Sequence, residues 1–166
     1  MRAILLHPLR GAAVAKVNAQ VTHLFVKPAH GSRMEARSAV HAVEDMGLAG
    51  DTAFGTSRRQ VLVIDAETLA GFDLAPGMVR ENITISGFPL PGLPRGTRLH
   101  IEGVVLEITG DCTPCDFLDT LRPGLKEAIL GRRGVLARVA HGGELKVGSP
   151  VHVQSPESIG AAASTP

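Results

Sequence analysis

The amino-acid sequence predicts a mainly β protein, a β-barrel or strongly curved sheet with a few short helices. Three observations predict this class: many short runs of β-branched residues, 19 glycines that divide them, and few segments with helical spacing. The chain has 166 residues, of which 44% are hydrophobic, so it can bury one sizeable core but is too short for two ordinary domains. We therefore expect one domain.

The first predicted strands lie at residues 21–26 and 60–64. Residues 21–26 are rich in β-branched types and end at a lysine–proline pair, as a strand followed by a loop should. Residues 60–64 form an apolar run that is too short for a helix, and Asp65 then offers an N-cap for a short helix over residues 66–72. This part of the chain therefore predicts strand, strand and helix.

Alternation with a period of two predicts further strands at residues 82–86, 97–102 and 104–109. Only Gly103 separates the last two strands, so they predict a hairpin. The second strand of this hairpin leads directly to Cys112.

The last third of the chain mixes helical and strand-like patterns. Residues 116–130 have apolar side chains at helical spacing, broken by Pro123-Gly124, which predicts two short helices. Residues 135–139 and 145–153 are strand-like, and residues 141–144 between them have the composition of a turn.

The domain is expected to span residues 21–154. Residues 1–20 are an N-terminal extension and a candidate extra strand, and residues 155–166 predict a disordered tail. The apolar start of the chain is interrupted too early for a signal peptide, and no apolar stretch could span a bilayer. Two cysteines suit a reduced compartment better than a disulfide framework, so we expect a cytoplasmic protein that does not associate with a membrane.

The overall charge excludes a class of partners. The chain carries 17 Lys and Arg against 16 Asp and Glu, a formal net charge of +1. No global field would draw such a protein onto nucleic acid or an anionic membrane, so any anion must be held by a local cluster.

The segment Cys112-Thr113-Pro114-Cys115 is the candidate for chemistry, because it holds the chain's two cysteines where a strand ends and a helical segment is predicted to start. Backbone N–H groups at that point would stabilise a thiolate. Spacing alone leaves both cysteines as equal candidates in a thioredoxin-like redox pair, and burial as small hydrophobes is the alternative. A structural zinc site would need two ligands besides the cysteines, and His100 or His141 could supply them only if folding brought them close, because their spacing in the sequence does not indicate a site.

Arginines and glycine-rich loops are candidates for a phosphate or pterin site, although each taken alone is more often solvated or part of a turn. Arg80-Glu81-Asn82 is more specific, because it stands directly before an apolar strand. Charged groups there cost desolvation unless they have partners, which favours a site or a local ion pair.

Taken together, these segments resemble the MOSC domain, the module named for the C-terminal part of molybdenum cofactor sulfurases. The resemblance covers His30 to Val153, and it depends on the order and spacing of its motifs rather than on any one of them. The motifs are His30-Gly31-Ser32-Arg33-Met34, Gly47-Leu48-Ala49-Gly50-Asp51, Arg59-Gln60-Val61-Leu62, Pro76 to Ile83, Leu93 to Ile101, Cys112-Thr113-Pro114-Cys115, Arg132-Arg133-Gly134-Val135 and Gly143 to Gly148. Two positions depart from the family pattern, Ser149 where Asp is often found and Thr52 where a basic residue is frequent.

The resemblance implies a β-barrel MOSC fold, a site for the molybdenum cofactor (molybdopterin) and one essential cysteine, which falls on Cys115. In the related amidoxime-reducing enzymes the cysteine ligates molybdenum, and an Arg-x-Asn-Ile segment helps to hold the cofactor. That segment maps onto Arg80, Asn82 and Ile83, and Thr113 is implied by the same analogy. Arg59 and Arg133 are further candidates for binding the cofactor, because arginines can neutralise its phosphate.

Three functions follow as hypotheses. The first is a molybdenum-cofactor-dependent enzyme, with Cys115 as metal ligand, for oxo transfer or reduction of an N-oxygenated small molecule. The second is a sulfur carrier with a persulfide on Cys115, which Cys112 would resolve. The third is a thiol–disulfide oxidoreductase that uses both cysteines. A separate redox or sulfur-donor protein is the partner that the first two hypotheses require.

Overall fold

Eleven strands and three short helices make up the computed structural model, which describes residues 15–57 and 59–157. The strands are β1 (Ala15–Val26), β2 (Glu35–Arg37), β3 (Ala39–Val43), β4 (Gly47–Leu48), β5 (Val61–Asp65), β6 (Ile83–Ser86), β7 (Arg98–Ile101), β8 (Val104–Asp111), β9 (Val135–His141), β10 (Gly143–Lys146) and β11 (Pro150–Gln154). The helices are α1 (Ala66–Gly71), α2 (Phe117–Leu121) and α3 (Leu125–Ala128).

Seven strands close into a mixed barrel in the order β11-β7-β8-β9-β5-β6-β1. Antiparallel pairing between β1 and β11, with Ala19 opposite Val151, closes the ring. β5 and β6 run parallel, with Val63 opposite Ile83, because α1 and the loop after it carry the chain across between them. The predicted mainly β, barrel-like fold with a few short helices is confirmed.

Two smaller pieces complete the fold. β2 extends the barrel sheet from β1, and β3, β4 and β10 form a separate three-stranded sheet. No helix within residues 15–57 and 59–157 is long and apolar enough to cross a membrane.

Alternating side chains fill the barrel, as in β8, where every second residue from Val104 to Ile108 is buried. A second, smaller core lies between the helices and the barrel wall. Its buried members are Ile64, Leu69, Leu74, Val79, Leu118, Leu125 and Ile129. This second core fixes α2 on the barrel and therefore fixes the cysteine segment that precedes α2.

Most of the predicted elements are present within a residue or two of their predicted bounds. The N-cap is confirmed, since the backbone N–H of Thr68 donates to a side-chain oxygen of Asp65 at 2.9 Å. The hairpin and the two short helices are confirmed as well. β1 begins at Ala15, so residues 15–20 are the first half of this strand. Residues 1–14 and most of the predicted tail, 158–166, lie outside the described residues.

The prediction of one strand over residues 145–153 is wrong. Gly148 adopts φ 92°, a left-handed conformation that ends β10 and redirects the chain into β11. β10 then pairs with β3, whereas β11 pairs with β1 and β7. The alternation of apolar and polar residues continues from β10 into β11 because each strand buries one face, although the two strands belong to different sheets.

Candidate functional site

A cavity of about 300 Å³ lies on the outer face of β5 and β9 and brings the predicted site residues together. Its floor is formed by Leu62 and Leu136, whose neighbours along both strands point into the barrel core. All seven residues proposed from the sequence line it, namely Arg59, Arg80, Asn82, Cys112, Thr113, Cys115 and Arg133. The other lining residues are Lys27, Met34, Asp51, Thr52, Ala53 and Phe117. We call this space the cationic cavity.

The charges around the cationic cavity are mostly positive. Lys27, Arg59, Arg80 and Arg133 face one carboxylate, that of Asp51. Within the described part of the chain, the side chains of Lys27, Arg59 and Arg80 have no hydrogen-bond acceptor and no ion pair. Such a surplus of free cationic donors is what an anionic group such as a phosphate requires.

Arg133 is the deepest of these cations, with 4% of its surface exposed. Its Nη2 donates to the carbonyl of Val79 at 2.6 Å, but Nε and Nη1 have no partner among the described residues. Gly134 allows this depth: a Cβ there would lie 2.6 Å from the carbonyl oxygen of Val63, and its φ is 99°. A buried guanidinium with two unsatisfied nitrogens costs free energy, and an anion in the cavity would remove that cost.

Arg80 reaches the cavity from a strained turn. Its φ is 63°, in the left-handed region that residues other than glycine rarely adopt. Its backbone N–H donates to Gly77, and its guanidinium carbon lies 3.6 Å from the centre of the Phe117 ring. The turn therefore places the guanidinium over an aromatic face, and its N–H groups have no acceptor among the described residues.

Glu81 is fully buried behind the turn and does not line the cavity. One carboxylate oxygen accepts hydrogen bonds from the backbone of Gly77 and from the hydroxyl of Thr84, and the other oxygen has no partner among the described residues. Burial raises the pKa of Glu81, and those hydrogen bonds with the charge of Arg133 oppose the rise. Within the described residues, the trio is therefore only partly satisfied: Asn82 and one oxygen of Glu81 have partners, whereas the other oxygen of Glu81 and the guanidinium of Arg80 have no hydrogen-bond partner.

Asn82 ties three strands together below the cavity. Its Nδ2 donates to the carbonyl of Phe25 and to Oδ1 of Asp51, both at 3.2 Å, and its Oδ1 accepts from the N–H of Leu62 at 3.0 Å. Asp51 in turn accepts from the backbone N–H of Lys27 at 2.7 Å. Both amide hydrogens of Asn82 therefore have protein acceptors, and the residue frames the site.

The two cysteines are free and occupy different environments: Cys112 is buried and Cys115 is exposed. Burial raises the pKa of the Cys112 thiol, while the charges of Arg133 and Arg59 oppose the rise. The backbone N–H of Cys112 donates to the carbonyl of Gly134 at 3.0 Å, which ties the cysteine segment to the turn before β9 that carries Arg133. Exposure makes Cys115 the accessible thiol of the pair.

The expectation that backbone N–H groups would be aimed at one of the two sulfurs is wrong. α2 begins at Phe117 and has five residues, and the carbonyl of Cys115 accepts from the N–H of Leu118 at 3.0 Å. Within the described residues no backbone N–H donates to either sulfur.

The histidines considered for a zinc site lie elsewhere. His100 bonds to Gln154 and His141 to the carbonyl of Gly103, and neither lines the cationic cavity. Across residues 15–57 and 59–157, no three His, Cys, Asp or Glu side chains lie close enough together to hold a metal ion.

Among the lining residues that the sequence did not single out, Lys27 and Phe117 have the side chains that matter most for an anionic ligand. In the sequence, Lys27 marks only the end of a strand and Phe117 only an apolar position of a helix. Neither has a local signal for a site: the backbone of Lys27 is held by Asp51, 24 positions later, and Phe117 packs against the second core.

Comparison with known proteins gives a family and a fold. The sequence model of the MOSC domain matches residues 50–152, while no curated protein matches the chain. YuaD from Bacillus subtilis is 20% identical with a TM-score of 0.74, over 82% of this chain and 96% of that one. YiiM from Geobacillus stearothermophilus is 16% identical with a TM-score of 0.64, over 87% and 83%. YiiM from Escherichia coli is 15% identical with a TM-score of 0.62, over 89% and 76%. At these identities the likeness to the solved structures concerns the fold.

Proposed function

The chain belongs to the MOSC domain family, and on that premise we propose that it binds the molybdenum cofactor in the cationic cavity, with Cys115 as a thiolate ligand of the metal. One observation carries the proposal: a buried arginine with two unsatisfied nitrogens, three further cations that have no hydrogen-bond acceptor or ion pair among the described residues, and an exposed thiol all line one cavity. The cofactor has an anionic phosphate and a metal that accepts thiolate sulfur, so the donor set fits it.

Each lining residue would have a separate role in holding such a ligand. Arg133 would bind an anionic group at depth, and Arg59 and Arg80 would neutralise the phosphate nearer the opening. The exposed Thr113 offers a hydroxyl between the two cysteines. Asn82 would keep the floor in place rather than contact the ligand, because both its amide hydrogens are already used.

Cys115 would hold the metal at the solvent side of the cavity, where a small substrate can approach. When bound, the cofactor supplies an oxo-transfer centre, which suits reduction of an N-oxygenated small molecule. Reduction of an N–OH group consumes two electrons and two protons and releases water, so a separate protein would supply the electrons. Cys112 would stay a protonated, buried neighbour, because burial raises its pKa.

A sulfur carrier is the second candidate, and the exposure of Cys115 favours it, since a persulfide there could reach an acceptor. A sulfur-donor protein would then be the partner. The disulfide oxidoreductase is less well supported, because the buried Cys112 has a raised pKa and is a poor nucleophile. Each of these functions uses free thiols, which suits the cytoplasm.

Metal and pterin analysis of protein from a cofactor-competent host tests the proposal, with Cys115→Ser and Cys112→Ser variants beside the wild type. We expect stoichiometric molybdenum in the wild type and in Cys112→Ser, and its loss in Cys115→Ser. Absence of molybdenum from every preparation, with a persulfide on Cys115 by mass spectrometry, would overturn the proposal in favour of sulfur transfer. Disulfide reduction that needs both cysteines would favour the third function.

A further inference from the structure

The contact between Arg80 and Phe117 joins two parts of the site that are distant in sequence. The guanidinium carbon of Arg80 lies 3.6 Å from the ring centre of Phe117, and both side chains line the cationic cavity. Arg80 is exposed and has no other side-chain partner within the described residues. The ring is therefore what restrains this long, flexible side chain.

The geometry of the contact suits ligand binding. An aromatic ring attracts the face of a guanidinium and leaves its in-plane N–H edges free to donate. The left-handed backbone at Arg80, φ 63°, is an unfavourable conformation for a residue with a Cβ. Strain in the backbone and stacking of the side chain together determine one placement of this cation.

Phe117 is also tied to the thiol. It is the first residue of α2, two positions after Cys115, and the N–H of the next residue, Leu118, donates to the Cys115 carbonyl at 3.0 Å. Leu118 is fully buried in the second core, and Phe117 packs against the same core. The ring and the thiol therefore share one anchored turn of backbone.

We propose that Phe117 is a positioning residue, which holds the guanidinium of Arg80 ready for an anionic ligand and sets its distance from Cys115. The inference rests on the proposed function in one respect, that Arg80 binds an anionic group of the ligand. Phe117 makes no bond to that group, and its effect passes through Arg80.

A double-mutant cycle tests the coupling with inorganic pyrophosphate as the probe, by calorimetric titration of the metal-free full-length chain. The four proteins are wild type, Phe117→Leu, Arg80→Gln and the double variant. We expect Phe117→Leu to weaken binding about two- to fivefold in the wild-type background, the range of an exposed cation–π contact. In the Arg80→Gln background the same change should have no effect.

Two further variants separate positioning from folding. Phe117→Tyr keeps the aromatic face and should retain wild-type affinity. Phe72→Leu removes a ring that packs against the same second core without lining the cavity, so it should leave affinity unchanged. Denaturant midpoints of all variants show whether each is folded.

Equal weakening by Phe117→Leu in both backgrounds would overturn the proposal, and so would wild-type protein that binds no pyrophosphate. The cycle uses no molybdenum, so it can succeed where metal loading fails. A coupled cycle without molybdenum uptake would reject the proposed cofactor but keep the role of Phe117.

Discussion

The side-chain nitrogen of Asn82 donates to the carboxylate of Asp51 at 3.2 Å, across 31 positions of sequence. Asp51 in turn holds the backbone N–H groups of Lys27 and Ala53, at 2.7 and 3.0 Å. This relay connects the start of β6, the end of β1 and the loop beyond β4. Because the bonds at Asn82 are buried, removing one partner leaves several polar groups unsatisfied.

Asn82→Ala is expected to destabilise the protein by ~2–4 kcal/mol, because it removes three buried hydrogen bonds and takes away the acceptor of the Leu62 N–H. Urea unfolding followed by circular dichroism measures the change in free energy of unfolding. Exposed Thr113→Ala, also at the cavity, is the control and should change stability by less than about 0.5 kcal/mol. Unchanged stability together with lost ligand binding would show that Asn82 contacts the ligand directly.

Iodoacetamide should alkylate Cys115 before Cys112. Cys115 is exposed, whereas Cys112 is buried and its thiol has a raised pKa, so it offers less thiolate and less access. Mass spectrometry of peptides over a time course measures both rates in one protein. Faster labelling of Cys112 in the native state would contradict the assigned environments, and equal rates in urea provide the control.

Glu81→Gln should change how stability depends on pH. The pKa of Glu81 is raised by burial, so the folded state binds more protons than the unfolded state between the ordinary and the raised pKa. The contribution of Glu81 is therefore fully present below its ordinary pKa and is lost as pH rises through the raised one. Each unit of the rise corresponds to about 1.4 kcal/mol.

Urea unfolding of wild type and Glu81→Gln from about pH 4 to about pH 8 checks this dependence. The variant retains an acceptor for the Gly77 and Thr84 hydrogen bonds but cannot ionise. Its stability relative to wild type should increase with pH. A difference that is constant over the range would mean that the carboxylate ionises as easily when folded as when unfolded, and one that decreases would mean that it ionises more easily when folded.

The free energy of unfolding of Arg80→Gly is expected to exceed that of Arg80→Ala by about 1 kcal/mol, because glycine accepts the left-handed conformation. Both variants should lose pyrophosphate affinity to the same extent, since neither has a guanidinium. Asp73 is the matched control, with φ 53° and an exposed side chain outside the cavity. Asp73→Gly and Asp73→Ala should show the same stability difference with unchanged affinity. Equal stability of the two Arg80 variants would contradict strain at this position.

Elements specified by local pattern could be predicted from the sequence. The hairpin around Gly103 has alternation on both sides, and Asp65 caps the helix that follows it. β2 and β4 have three and two residues, too few for a periodic signal, and exist because a partner strand is present. The division at Gly148 also depends on which sheet each segment joins.

In the cavity, too, some residues could be predicted from local sequence patterns and others only from tertiary contacts. Arg80 and Cys115 belong to sequence motifs, so the sequence alone identifies them as candidate site residues. Phe117 gains its place by stacking on a residue 37 positions earlier, a contact that no local pattern encodes. The separate environments of the two cysteines likewise depend on burial, which their spacing could not distinguish.

The positive charges that line the cavity also affect the stability of the folded state. Lys27, Arg59, Arg80 and Arg133 repel one another in a protein without its ligand, and only Asp51 among the lining residues opposes them. The barrel is therefore less stable empty than a neutral lining would make it, a trade of stability for function. These cations come from four separate segments, so a bound anion would stabilise them all against global unfolding. An increase in melting temperature with added ligand then becomes a direct way to search for the natural one.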